Sequence, residues 1–170
     1  MHPGHAGACN VIWGSSSKRS WPSSPEEKAA ELGSPRRLAL IVEDDPGIRR
    51  IVSESLVRLG AQVVEAENGR GALALLQRLK PDVVCLDLLL PEVSGYSICE
   101  FIRSTEALQR VPVLVMSARS RPQDRADAEE VGASAFLSKP FTSSQFREMI
   151  LGIWVANSAN TFVPRPRDAP

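Results

Sequence analysis

Between residues 36 and 156, short apolar runs alternate five times with segments of helical period, and few folds accept that pattern. Leu38–Val42 is a continuous apolar run, as expected of a strand covered on both faces. Asp45 and Pro46 then offer an N-cap and a first-turn proline. Ile48, Ile51, Val52, Leu56 and Leu59 follow at helical spacing, and Gly60 stops the helix. The remaining strands are predicted at Gln62–Ala66, Val83–Leu86, Pro112–Met116 and Ala135–Leu137. The remaining helices are predicted at Gly69–Leu79, Gly95–Ser104 and Gln123–Val131, with a last one capped by Thr142 or Ser143. That last helix carries Phe146, Met149, Ile150, Ile153 and Trp154 on one face. Strict alternation implies an α/β fold, a parallel sheet with helices on both faces and right-handed crossovers. Ligands of such sheets sit beyond the carboxyl ends of the strands.

The segments outside this core differ in kind. Fifteen of the first 35 residues are Gly, Ser or Pro, and the last 14 hold three prolines. Residues 1–35 and 157–170 are therefore expected to be flexible tails around a domain at 36–156. His2, His5 and Cys9 fall in the first of these, and three possible ligands in a tail do not make a metal site. Twenty basic residues balance twenty acidic ones, so no general electrostatic grip on nucleic acid or anionic lipid is expected. No run approaches the roughly 20 apolar residues of a membrane span. Cys9, Cys85 and Cys99 are odd in number and far apart, which argues against a disulfide framework and for a reducing cytoplasm. Cys85 and Cys99 read as small buried apolar residues.

Chemistry is concentrated where the strands end. Glu43, Asp44 and Asp45 follow the first strand, and Asp87 follows the third. Ser117 and Ala118 follow the fourth; Ser138, Lys139 and Pro140 follow the fifth. Asp45 is best accounted for as the helix cap, whereas Asp87 inside so apolar a run is costly unless partnered. Two carboxylates about 4 Å apart repel by roughly 4 kcal/mol at an effective dielectric of ~20. A cluster of them needs a proton or a cation, and oxygen donors with open positions favour Mg²⁺. Mg²⁺, a lysine and a hydroxyl together suit a phosphoryl group, with a carboxylate as nucleophile forming an acyl phosphate.

The ordered set of strand-end motifs resembles the receiver domain of bacterial two-component response regulators, of the single-domain chemotaxis-receiver kind. The stretches are Leu40-Ile41-Val42-Glu43-Asp44-Asp45, Val83 to Gly95 with Asp87 at its centre, Val113 to Ala118, and Ala135 to Phe141 with Lys139-Pro140. The resemblance implies a flavodoxin-like (βα)5 sheet in the order 2-1-3-4-5. It implies that Asp87 accepts a phosphoryl group from a sensor histidine kinase or a histidine phosphotransfer protein. Mg²⁺ would be held by Asp44 directly, by Glu43 through water, by Asp87 and by the backbone carbonyl of Leu89. Lys139, Ser117 and Ala118 would contact the phosphoryl group. Ser117 would swing toward it and Phe136 would turn inward, altering the face made by the fourth helix, fifth strand and fifth helix. A cis peptide would precede Pro140. Leu89 and Arg119 stand where the family tunes the lifetime of the phosphorylated form; a leucine that cannot orient water predicts slow loss.

The function expected is thus a stand-alone, non-enzymatic switch that signals through a protein partner. Too little chain follows the last helix for a groove-reading module, so direct nucleic-acid binding is not expected. Two other classes stand beside this one. A haloacid-dehalogenase-type aspartyl-phosphate hydrolase would carry a second aspartate where Leu89 stands, and its nucleophile would follow the first strand. A phosphorylation-independent scaffold on the same fold would bind its partner equally well with Asp87→Asn.

Overall fold

The computed structural model describes residues 37–119 and 121–158. Both expected tails lie outside these residues, as do His2, His5 and Cys9, except that the last helix includes 157 and 158. Five strands form one parallel sheet: β1 (Leu38–Val42), β2 (Gln62–Ala66), β3 (Val83–Asp87), β4 (Val113–Ser117) and β5 (Ala135–Ser138). Their order is β2-β1-β3-β4-β5. The helices between and after them are α1 (Pro46–Arg58), α2 (Gly69–Leu76), α3 (Gly95–Ser104), α4 (Pro122–Glu130) and α5 (Ser143–Ser158).

Four of the five helices start where the sequence supplies an oxygen for their first amides, α4 at Arg121 being the exception. Asp45 accepts from Ile48 N–H at 2.8 Å, and Asn68 accepts from Gly71 N–H at 2.9 Å. Ser94 caps α3 through Ser97 N–H at 3.4 Å. For α5 the cap is Thr142 in a reciprocal box: its hydroxyl accepts from Gln145 N–H at 3.2 Å, and its own N–H donates to Gln145 Oε1 at 2.8 Å. Gly60 and Gly132 follow the ends of α1 and α4 at φ of 82° and 94°, the left-handed region that glycine enters without strain.

Period-2 alternation divides the core. Ala39, Ile41, Val83, Cys85, Leu114 and Met116 pack against α1 and α5. Leu40, Val42, Val84, Leu86, Val115 and Phe136 pack against α2, α3 and α4. The predicted elements recur with small shifts. Strands β3, β4 and β5 each run one residue further than their apolar runs, through Asp87, Ser117 and Ser138, because ladder bonds use the backbone and ignore side-chain polarity. Helix α2 stops at Leu76 rather than Leu79; the chain closes in turns, with Leu79 N–H still reaching Leu75 O at 2.8 Å, ahead of Lys80, whose helical conformation Pro81 disfavours. Helix α5 runs two residues past the expected boundary at 156.

Candidate phosphoryl-acceptor site

The sheet order carries the ends of β1, β3 and β5 to one edge, and residue parity sets which side chains meet there. Glu43 continues the alternation of Ala39 and Ile41, and its N–H still pairs with Ala66 O at 3.1 Å. Asp87 continues that of Val83 and Cys85, and Lys139 that of Ala135 and Leu137, its N–H pairing with Ser117 O at 2.8 Å. All three therefore project toward the α1/α5 side of the sheet edge, and there they touch. Lys139 Nζ donates to Glu43 Oε2 at 2.7 Å, to Glu43 Oε1 at 2.9 Å and to Asp87 Oδ2 at 2.5 Å. The second oxygen of Asp87 accepts the N–H of Leu89 at 2.9 Å. Glu43 is fully buried and Asp87 only 5% exposed. Asp44 is exposed, and a carboxylate oxygen from each of Glu43, Asp44 and Asp87 can be chosen so that all three lie within 4.8 Å of one another.

Burial pushes the Glu43 carboxyl above the usual carboxylate range, although the Lys139 ammonium works against that rise. For Lys139, burial opposes the charge, but hydrogen bonds to Asp87 and Glu43 outweigh it and raise the amine above an ordinary lysine. The lysine is thus a fixed cation clamped between two carboxylates. The cluster fits a hard divalent ion by its chemistry: its donors are carboxylate oxygens, no thiol or imidazole joins them among the described residues, and Asp44 is open to water.

Two close approaches hold the acidic edge together. A Cβ at Gly95 would lie 2.3 Å from Asp87 O and 2.6 Å from Leu88 Cα, so only glycine lets the start of α3 press against the end of β3. Arg49, on the first turn of α1, donates from Nη1 to the carbonyls of Glu43 at 2.8 Å and Asp44 at 3.3 Å. The sequence marked Gly95 only as a helix start and motif end, and gave Arg49 no role. A cation in the first turn of a helix, against the positive end of its dipole, is the signal that could have drawn attention to Arg49.

The residues expected to report phosphorylation lie on the other side. Ser117 is buried and one residue on from Met116, which pairs with Asp87. Its hydroxyl accepts Arg119 N–H at 3.1 Å. Ala118 and Arg119 are exposed, and Leu89 is 42% exposed. Phe136, which the resemblance implied would turn inward with phosphorylation, is already inward here at 1% exposure, because it completes the core between β4 and α4. The Arg125 guanidinium of α4 lies over its ring, 5.1 Å from the centroid, and donates to Ser138 Oγ at 3.1 Å. Arg125 was also missed; an arginine on a polar helix reads as solvated. The peptide between Lys139 and Pro140 is cis, as the resemblance implied.

A family model described as the response regulator receiver domain matches residues 39–151. The DNA-binding dual master transcriptional regulator RpaA of Synechocystis sp. is 39% identical over 102 residues, 60% of this chain and 42% of that regulator. The KDP operon transcriptional regulatory protein KdpE of Escherichia coli is 39% identical over 122 residues, 72% of this chain and 53% of that protein. The chain spans about half the length of such relatives. Among solved structures, the chemotaxis response regulator CheY4 of Vibrio cholerae matches with a TM-score of 0.67 at 28% identity, covering 70% of this chain and 99% of that one.

Proposed function

The chain belongs to the family of response regulator receiver domains of two-component signalling, and from that premise we propose that Asp87 is its phosphoacceptor and that phosphorylation changes what the α4–β5–α5 face binds. Phosphorylation on aspartate and Mg²⁺ binding are general properties of this family, whose receivers interact with histidine kinases. One observation carries the assignment to these residues: the lysine after β5 bridges the carboxylates after β1 and at the end of β3, 96 and 52 residues away in the chain. A pocket with one nucleophilic carboxylate, one fixed ammonium and further acidic groups suits acceptance of a phosphoryl group.

The step follows from the contacts. An Asp87 oxygen attacks phosphorus of a phosphohistidine on a kinase or phosphotransfer protein. The new O–P bond forms as the N–P bond breaks, and the histidine departs with the bonding pair. Lys139, already bonded to Asp87 Oδ2, then donates to the transferred oxygens. Asp44, Asp87 and the carbonyl of Leu89 would hold Mg²⁺, with Glu43 acting through water, and the ion would supply the remaining neutralisation of phosphoryl charge. Ser117, whose hydroxyl accepts the N–H of Arg119, turns to donate its O–H to a phosphoryl oxygen, with Ala118 N–H beside it, and the strand carrying Phe136 responds. Moving the face from 1:99 to 99:1 requires roughly 5.5 kcal/mol of preference, which several charge-assisted bonds can supply.

The downstream partner in this reading is a protein that contacts the α4–β5–α5 face. DNA binding is a property of the relative RpaA and belongs to that protein. Among the described residues, no helix is long and apolar enough to cross a membrane. The test is incubation with Mg²⁺ and a small acyl-phosphate donor, read by intact mass. Wild type should gain one phosphoryl group and Asp87→Asn none. Labelling of the variant at another residue, or no labelling of wild type, would remove the assignment.

A further inference from the structure

Arg49 lies at the meeting point of the acidic loop and the end of β2, and its guanidinium uses its fork in both directions. On one side Nη1 reaches the carbonyls of Glu43 at 2.8 Å and Asp44 at 3.3 Å. On the other, Nε pairs with Glu65 at 3.3 Å and Nη2 with Glu67 at 3.0 Å. Its side chain is only 12% exposed although it carries a full charge on the first turn of a helix. An arginine sits there against the helix dipole only if its partners more than offset that cost.

We propose that Arg49 is a positioning residue for the acidic loop: it fixes the carbonyls of Glu43 and Asp44, and so aims both carboxylates at the cation site, while Glu65 and Glu67 balance its charge. The inference rests on the reading of Glu43 and Asp44 as metal-site residues. Backbone direction and side-chain direction are coupled at each Cα. The carbonyl of Glu43 closes the peptide into Asp44, and the carbonyl of Asp44 closes the peptide into Asp45. Holding both oxygens with one planar group fixes the turn of the chain between strand and helix. The other restraints on this loop bear on a side chain or on its ends: Lys139 holds the Glu43 carboxylate, Asp45 N–H reaches Glu43 Oε1 at 3.4 Å, Glu43 N–H pairs with Ala66 O, and Asp45 caps Ile48. Arg49 alone, among the described side chains, bonds to the carbonyls of both residues between them. A lysine could not reproduce the arrangement, because its ammonium is a point donor and cannot span carbonyls and two carboxylates in one plane.

The sign of the effect separates this role from two simpler ones. A positive charge beside a cation site repels the cation, so if charge alone mattered, removing Arg49 would tighten Mg²⁺ binding. If Arg49 only stabilised the fold, removing it would lower the melting temperature and leave Mg²⁺ affinity unaltered. If it aims the ligands, removing it weakens binding even though a repelling charge has gone.

The experiment is calorimetric titration of the full chain with MgCl2 alone, with thermal melts alongside. Arg49→Ala should weaken Mg²⁺ binding by about tenfold or more, the scale on which partners one step behind the ligands act. Arg49→Lys, which keeps the charge opposite Glu65 and Glu67 and folds on that account, should fall between the two. Arg50→Ala, whose partner is the surface residue Glu54, should bind as wild type does. An unchanged or tighter dissociation constant in Arg49→Lys and Arg49→Ala would overturn the positioning role. If wild type itself takes up no Mg²⁺, the metal-site reading falls and this inference falls with it, a result distinct from uptake that ignores Arg49.

Discussion

Helices α4 and α5 cover β5 from opposite faces, and they are held by different physics. Helix α5 buries Phe146, Met149, Ile150, Leu151, Ile153 and Trp154, packed with Val52 and Leu56 of α1. Helix α4 buries one residue, Ala128. Arg125 also ties α4 to the sheet, through a hydrogen bond to Ser138 and a cation–π contact with Phe136. The parity of the strands aligns this contrast with the chemistry. Glu43, Asp87 and Lys139 project toward the well-packed side, where the proposed phosphoacceptor is held still. Ser117 and Phe136 have the opposite parity and lie under the loosely fixed helix. A receiver needs both: a rigid half to accept the group and a half whose arrangement is marginal enough to respond.

The contrast is most strongly tested by removing its largest apolar anchor. Trp154 is 1% exposed and lies under the Arg37 guanidinium, 5.1 Å from the ring centroid. Trp154→Ala leaves a cavity in a core that cannot close around it, and a loss of about 3–5 kcal/mol is expected from the urea midpoint. Trp154→Phe should cost far less, because it also removes an indole N–H that is buried without a hydrogen-bond partner. A small effect of the alanine change would mean that α5 is no better anchored than α4.

Arg125→Ala should act locally and more weakly. It removes one hydrogen bond and one cation–π contact, but also Nη1, which is buried without a partner. The net loss is expected near 1 kcal/mol. Its mark should be faster amide exchange along α4 with α5 unaltered. Equal acceleration in both helices would show one cooperative unit where the packing indicates two.

How far all this could be read beforehand depended on the kind of interaction. Apolar period is local, so the five strands and five helices were legible, and errors fell at ends such as Asp87 and Leu76, where backbone pairing or a coming proline decides. The convergence of Glu43, Asp87 and Lys139 was legible because topology rules bring strand ends together. Arg49 and Arg125 were not, since a charged residue on an amphipathic helix gives no sign that its partner is a carbonyl or a ring face. The tight approach of Gly95 to Asp87 was hidden for a similar reason: a glycine at a helix start has many uses, and only the distance to the strand selects one. The inward position of Phe136 depends on α4 above it, a contact between elements that period alone does not specify.

The finest probe of the two halves is already in the chain. Cys85 on β3 packs toward α1 and α5, and Cys99 on α3 packs in the cluster that includes Ala128 of α4. Burial pushes both thiols up, Cys99 to about 12 and Cys85 higher still, so near neutral pH neither presents appreciable thiolate while its cluster is closed. Reaction with a thiol reagent must therefore pass through opened states, and its rate counts how often each cluster opens. Native-state labelling, read by peptide mass mapping, should modify Cys99 before Cys85. Arg125→Ala should widen that interval by accelerating Cys99 alone, because α4 contributes to its cluster and not to that of Cys85. Equal rates at the two thiols would mean that both open only by global unfolding. The weakly held helix would then be no freer than the rest of the domain, and any motion of the α4–β5–α5 face would have to be brought about by the phosphoryl group itself.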